Sequence, residues 1–110
     1  MAQASDAPLL AEPQVKRLIK KHLDLIGAYW WMPPAGPFGK VSFPDFVGCW
    51  EGFFFAIEAK GRQKGKDGKA TAAQLLVGRR MMAAGGAWFL IDHYNVHEIA
   101  DIMKREGIGR

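Results

Sequence analysis

At 110 residues the chain can bury one hydrophobic core and is too short for two ordinary domains. Apolar residues make up 49% and charged residues 24%, which excludes a disordered or collagen-like chain. There are 15 Lys and Arg against 11 Asp and Glu, and the resulting net charge of +4 suits a polyanionic partner without requiring one.

Residues 1–11 are small and polar and predict a flexible N-terminal tail ahead of a single domain over 12–110. The start lacks the basic residues and long apolar stretch of a signal peptide, and the longest apolar runs fall short of a membrane span, so a cytoplasmic protein without a membrane partner is expected. From Pro13 to Ile26, Val15, Leu18, Ile19, His22, Leu23 and Ile26 recur at helical spacing, with Lys16, Arg17, Lys20 and Lys21 on the other side. Pro13 fits the first turn of that helix and Gly27 its end. His22 on the apolar stripe reads as a packed residue at the core edge rather than a ligand.

The run "AYWWM" from Ala28 predicts a short strand, and "PPAGPFG" a loop, because its prolines and glycines cannot sustain a ladder. "VSFPDFVG" and "GFFFAIEAK" are aromatic and β-branched runs around a short turn at Cys49, Trp50 and Glu51, which predicts a hairpin. Cys49 is the lone cysteine, cannot form an intramolecular disulfide, and reads as a small apolar filler. Gly61 to Ala70 is a basic, glycine-rich loop, and Thr71 can cap a helix that runs through Gln74, Leu75, Leu76, Met81 and Met82 to the Gly85-Gly86 pair. "AWFLI" from Ala87 reads as a buried strand, and Val96 to Arg105 as a C-terminal amphipathic helix. There is no internal repeat. The expected fold is α/β: order α-β-β-β-α-β plus a C-terminal helix, with a mixed sheet flanked by helices.

Three polar residues stand out against this apolar background. Side chains alternate along a strand, so Glu58 and Lys60 share one face and Ala59 takes the other. With the turn near Trp50 and Glu51, Asp45 pairs with Ala56 and becomes a diagonal neighbour of Glu58, about 7 to 8 Å away at the backbone. Two carboxylates so placed among aromatics repel each other unless they share a cation. Mg²⁺ suits such oxygen ligands, because it keeps several waters and needs only one or two carboxylates. The Ala59 carbonyl can supply another ligand, and Lys60 can help deprotonate water or stabilise charge developing on a phosphate. The pattern reads as metal-assisted phosphodiester hydrolysis. E-x-K alone is common, and the plainer reading is a solvated strand end with a turn residue after Pro44; the weight comes from Pro-Asp, a hairpin and E-x-K in combination.

At these residues the chain resembles the PD-(D/E)xK nuclease superfamily, with Pro44-Asp45 as the first half of the motif and Glu58-Ala59-Lys60 as the second. The element order resembles its restriction-endonuclease-like core. Within it, the likeness is to the virus-type replication-repair nuclease (VRR-NUC) domain, which stands alone in phages and bacteria, and it spans roughly Glu12 to Ile91. The resemblance implies a Mg²⁺-dependent or Mn²⁺-dependent endonuclease, similar to Holliday junction resolvases that act as homodimers on branched DNA. It assigns metal binding to Asp45, Glu58 and the Ala59 carbonyl and makes Lys60 the catalytic lysine. It also implies that Glu12 on the first helix faces the metal site and that Gln74 positions catalytic groups or phosphate. Ser42 stands where the family commonly has a glycine two residues before the Pro-Asp pair.

Other motifs carry less. "GRQKGKDGKAT" does not fit the register of a phosphate-binding loop, so no nucleotide cofactor is expected, but Arg62, Lys64, Lys66 and Lys69 can contact DNA phosphates. His93 and His97 lack a third ligand, and zinc is not expected; His97 and Glu98 read as surface residues. Trp30, Trp31, Trp50 and Trp88 read as core or interface packing, as do Met81 and Met82. The competing readings are a flap- or restriction-type nuclease and a non-catalytic nucleic-acid-binding module of the same fold.

Overall fold

The computed structural model of the chain describes residues 10–34, 43–63 and 66–108. Helix α1 spans Glu12–Leu25 and buries Val15, Ile19 and Leu23, one side chain per turn. Pro13 sits in its first turn, the Gln14 side chain accepts from the Ala11 N–H at 2.8 Å, and Gly27 leaves the helix with φ of 80°. Most of the expected tail, residues 1–9, lies outside the described residues, as does much of the loop and strand entry over 35–42.

Four strands form the main sheet in the order β1-β2-β3-β6: β1 (Tyr29–Trp31), β2 (Phe46–Trp50), β3 (Phe53–Ala59) and β6 (Ala87–Ile91). The first three pair antiparallel and β6 runs parallel to β3, so the sheet is mixed. The parallel pair requires a crossover, which helix α2 (Ala72–Ala83) provides. Both faces of β3 are covered, and residues 55 to 59 are all buried. On one face, Phe55, Ile57, Phe46, Phe89 and Ile91 pack with α1 and with Val96, Ile99, Ile102 and Met103 from the C-terminal segment. Helix α2 lies on the other face, against Trp88. The architecture is thus the expected α/β one, a mixed sheet between helices.

Local details differ from the sequence expectation. The β2–β3 turn is Glu51-Gly52, with φ of 51° and 90°, and Trp50 pairs with Phe53; Cys49 and Trp50 therefore belong to the strand. Within the basic loop, β4 (Arg62–Gln63) and β5 (Lys66–Asp67) form a small antiparallel ladder, tied below by the Gly68 N–H to the Gly61 carbonyl at 2.9 Å. The C-terminal helix is three short pieces: a 3₁₀ turn (Val96–Glu98), α3 (Ile99–Met103) and a π-helical turn (Lys104–Ile108). Among the described residues no helix is long and apolar enough to cross a membrane.

The seat of α2 rests on one small residue. Gly78 is the buried residue of that helix, and a Cβ added there would run into the Trp88 indole. Alanine would gain up to about 1 kcal/mol in helix propensity, but the ring cannot yield within a packed sheet face. Gly78→Ala is therefore expected to lower stability by roughly 1–3 kcal/mol, read as a fall in thermal midpoint.

Candidate active site

Continuing the β2–β3 register one step past the Phe46–Ile57 pair sets Asp45 directly across from Glu58. The diagonal placement expected from a turn at Trp50-Glu51 is corrected: Asp45 faces Glu58 rather than Ala56, a slip of two residues that leaves each side chain on its original face. Pro44 is buried at the entry to β2, and Asp45 leaves the ladder in a bend instead of pairing. Its Oδ2 accepts the Ala59 N–H at 2.8 Å, which fixes the carboxylate at the edge where β2 stops and β3 continues. The Ala59 carbonyl points to that same edge, because N–H and C=O of one strand residue lie on one side.

Glu58 is buried, 2% exposed, on the α2 side of the sheet. Desolvation raises its pKa from 4.5 to about 8, helped by the charge of Asp45 and the contact with it, and opposed by the positive charge of Lys60. Its Oε1 accepts from Gln74 Nε2 at 3.0 Å. Its Oε2 is buried without a hydrogen-bond partner among the described residues. A buried, unpartnered carboxylate oxygen beside a second carboxylate and a strand-edge carbonyl is a donor set for a hard divalent cation.

Gln74 is held from two directions. Thr71 Oγ1 accepts the Gln74 N–H at 3.1 Å, and Gln74 Oε1 accepts the Thr71 N–H at 2.9 Å, a reciprocal cap at the start of α2. With its oxygen occupied by the cap, the Gln74 amide must present its NH₂ to Glu58. The helix cap and the orientation of Glu58 are one device.

The first helix reaches the site through the residue after the motif. A Cβ on Gly61 would fall within 2.7 Å of the Ala11 carbonyl carbon and the Glu12 Cα, so the chain leaving Lys60 passes directly against the start of α1. The Arg62 N–H also donates to the Leu10 carbonyl at 2.8 Å. This docking brings Lys16 into the site: its Nζ lies 3.5 Å from Asp45 Oδ1 and 3.3 Å from Glu12 Oε2. Sequence spacing puts Lys16 on the solvated side of α1, but its half-buried stem turns back to the carboxylates. Partial burial alone would lower its pKa; Asp45 and Glu12 outweigh that and hold the ammonium above its usual value. No three His, Cys, Asp or Glu side chains among the described residues converge on one ion, and Glu12 meets the cluster through Lys16. The signal for Lys16 was its spacing of four from Glu12, which puts both on one helix face.

Lys60 follows at the end of β3, half-buried, its N–H bonded to the Ile91 carbonyl at 2.9 Å. The basic loop folds back beside it: a Cβ on Gly68 would come within 3.4 Å of the Lys60 Cβ, which leaves exposed Lys69 next to this end of the sheet. Arg62 is half-buried on β4; Lys64 lies outside the described residues, and Lys66 is described through its backbone in β5. His97 and Glu98 are exposed, as the sequence reading has them. His93 is buried at 5% exposure, while His97 meets His22 across the surface, with Nε2 of His22 3.3 Å from Nδ1 of His97. Desolvation, His97 and Lys21 together lower the His22 pKa.

No protein-family model matches the chain, and no curated protein matches it in sequence. A solved structure described as a VRR_NUC domain superposes with a TM-score of 0.66 at 18% sequence identity, covering 82% of this chain and 94% of that one. The chain has the fold of that VRR_NUC domain, an α/β fold with a mixed sheet flanked by helices.

Proposed function

We propose that the chain is a Mg²⁺-dependent DNA endonuclease, with Mn²⁺ able to substitute, that hydrolyses phosphodiester bonds in branched DNA as a Holliday junction resolvase does. The observation that carries this reading is the meeting of Asp45 and Glu58 at the open end of β2 and β3, with the Glu58 Oε2 buried and unpartnered among the described residues and Lys60 on the same face. A binding module has no use for paired carboxylates that repel phosphate.

Asp45, Glu58 and the Ala59 carbonyl would hold the ion. Bound there, Mg²⁺ supplies Lewis-acid polarisation of the phosphate and a more acidic water. The chain's own residues do the rest. The Ala59 N–H and the Gln74 amide fix the two carboxylates before substrate arrives, so no reorganisation is needed during reaction. The Lys60 ammonium stabilises charge that builds on the non-bridging oxygens as water bonds to phosphorus and one P–O ester bond breaks. Arg62, Lys66 and Lys69, with Lys64, position the DNA backbone without reading its sequence.

One chain offers one such site, and symmetric cutting of a junction needs two, so a homodimer is part of the proposal. Leu75, Leu76 and Met82 on α2, with Phe54 on the adjacent sheet face, are exposed apolar residues that self-association would cover.

The test is cleavage of labelled four-way junction, flap and linear duplex DNA by the wild-type protein and Glu58→Gln, with Mg²⁺, Mn²⁺ or EDTA. Symmetric junction cuts that require both metal and Glu58 are expected. Preference for flap or linear DNA would reassign the substrate, and binding without cleavage on every substrate would leave a non-catalytic module.

A further inference from the structure

Both oxygens of Asp45 and one oxygen each of Glu58 and Glu12 are engaged at the site. Asp45 Oδ2 is held by the Ala59 N–H at 2.8 Å and Glu58 Oε1 by Gln74 at 3.0 Å. Asp45 Oδ1 and Glu12 Oε2 both face Lys16, at 3.5 and 3.3 Å. A cation coordinated by Asp45 at the oxygen away from the Ala59 N–H must therefore approach the atom that Lys16 attends. Two positive charges on one carboxylate oxygen, in a partly desolvated cleft, repel strongly.

From this we infer that Lys16 is an internal counter-cation of the site: it neutralises Asp45 and Glu12 in the metal-free protein and must withdraw when a divalent ion binds. The inference rests on the metal-dependent reading given above. Several features fit such an exchange. Lys16 is on α1, whereas Glu58 is on β3 and Asp45, at the entry to β2, is held by the Ala59 N–H, so its departure leaves the ligands in place. Its ammonium sits on a flexible four-carbon stem and is partly open to solvent, so it can swing to water without moving the helix. It keeps a partner in Glu12 one turn away after Asp45 is given up. Lys16 is thereby a positioning residue that sets how tightly the site takes metal, and it lies outside the motif residues.

The experiment is titration of Mn²⁺ into DNA-free protein by calorimetry, together with the melting temperature in EDTA and in saturating Mn²⁺, for wild type, Lys16→Met, Lys16→Gln and Lys16→Arg. Removing the charge is expected to tighten Mn²⁺ binding roughly tenfold, within the range usual for coupled sites. It should also lower the melting temperature in EDTA more than in Mn²⁺, and Lys16→Arg should restore wild-type affinity. A purely structural role would depress both melting temperatures equally and leave the Mn²⁺ affinity unchanged or weaker, which overturns the inference. Tight binding in wild type that does not change in any variant would overturn it while leaving the metal site standing. Failure of every protein to bind Mn²⁺ would remove the metal-dependent reading and this inference with it.

Discussion

Lys60→Ala is expected to reduce metal-dependent DNA cleavage by roughly 10²- to 10³-fold, the size of effect seen when a charge-stabilising donor is removed from a desolvated site. The melting temperature should change little, because Lys60 is tied to β6 through its backbone N–H, which alanine retains. DNA affinity measured with Ca²⁺, which supports binding without rapid turnover, should fall far less than the rate, because the proposed interface shares the backbone contacts among Arg62, Lys64, Lys66 and Lys69 as well. The substitution has a second effect. Lys60 is the positive charge that opposes the upward shift of Glu58, so its loss leaves Glu58 more readily protonated. Lys60→Arg retains a positive charge and separates the two contributions: recovery of metal affinity without recovery of rate assigns the lost rate to the lysine itself. Undiminished cleavage by purified Lys60→Ala protein would sink the mechanism.

The second large effect is on stability against pH in EDTA. Glu58 ionises near 4.5 when unfolded and near 8 when folded, so between those values the folded chain holds a proton that the unfolded chain has released. Folding then takes up a proton, and stability must fall as pH rises through that window, levelling above the folded value. The limiting slope is about 1.4 kcal/mol per pH unit, equivalent to several degrees of melting temperature for a chain of this size. His22 acts oppositely but lower: its depressed pKa costs stability as pH falls below its ordinary 6.5. The raised pKa of Lys16 bears on stability only above 10.5. Between pH 6.5 and 8 the Glu58 contribution is the larger of the two, because His22 acts chiefly below 6.5. The wild-type melting temperature should decline across that range, and Glu58→Gln, which cannot ionise, should flatten the decline. A flat wild-type profile would show that Glu58 is hydrated and ionised in the folded chain.

The elements that were legible are those with a strong local signal. Val15, Ile19 and Leu23 mark the buried stripe of α1 by spacing alone, and the Thr71-x-x-Gln74 pattern marks the start of α2 because both halves of the cap are local. The continuous apolar runs of β3 and β6 fit strands covered on both faces. The C-terminal segment was less legible: its apolar spacing suggests one helix, whereas the chain runs through successive 3₁₀, α and π turns.

The amino-acid sequence by itself determined which residues carry charge, which alternate onto one face of β3, and where the chain must turn or cap; these depend on neighbours within a few positions. It set Glu58 and Lys60 on one side and Asp45 upstream, but it could not set the hairpin register, because Glu51 takes a left-handed conformation that its residue type does not announce. Tertiary structure alone decided that Asp45 lies across from Glu58, that Gln74 turns its NH₂ inward, and that Gly61 brings α1 close enough for Lys16 to reach Asp45. Those contacts join segments distant along the chain, and their geometry depends on how helices and sheet pack, which no local pattern encodes.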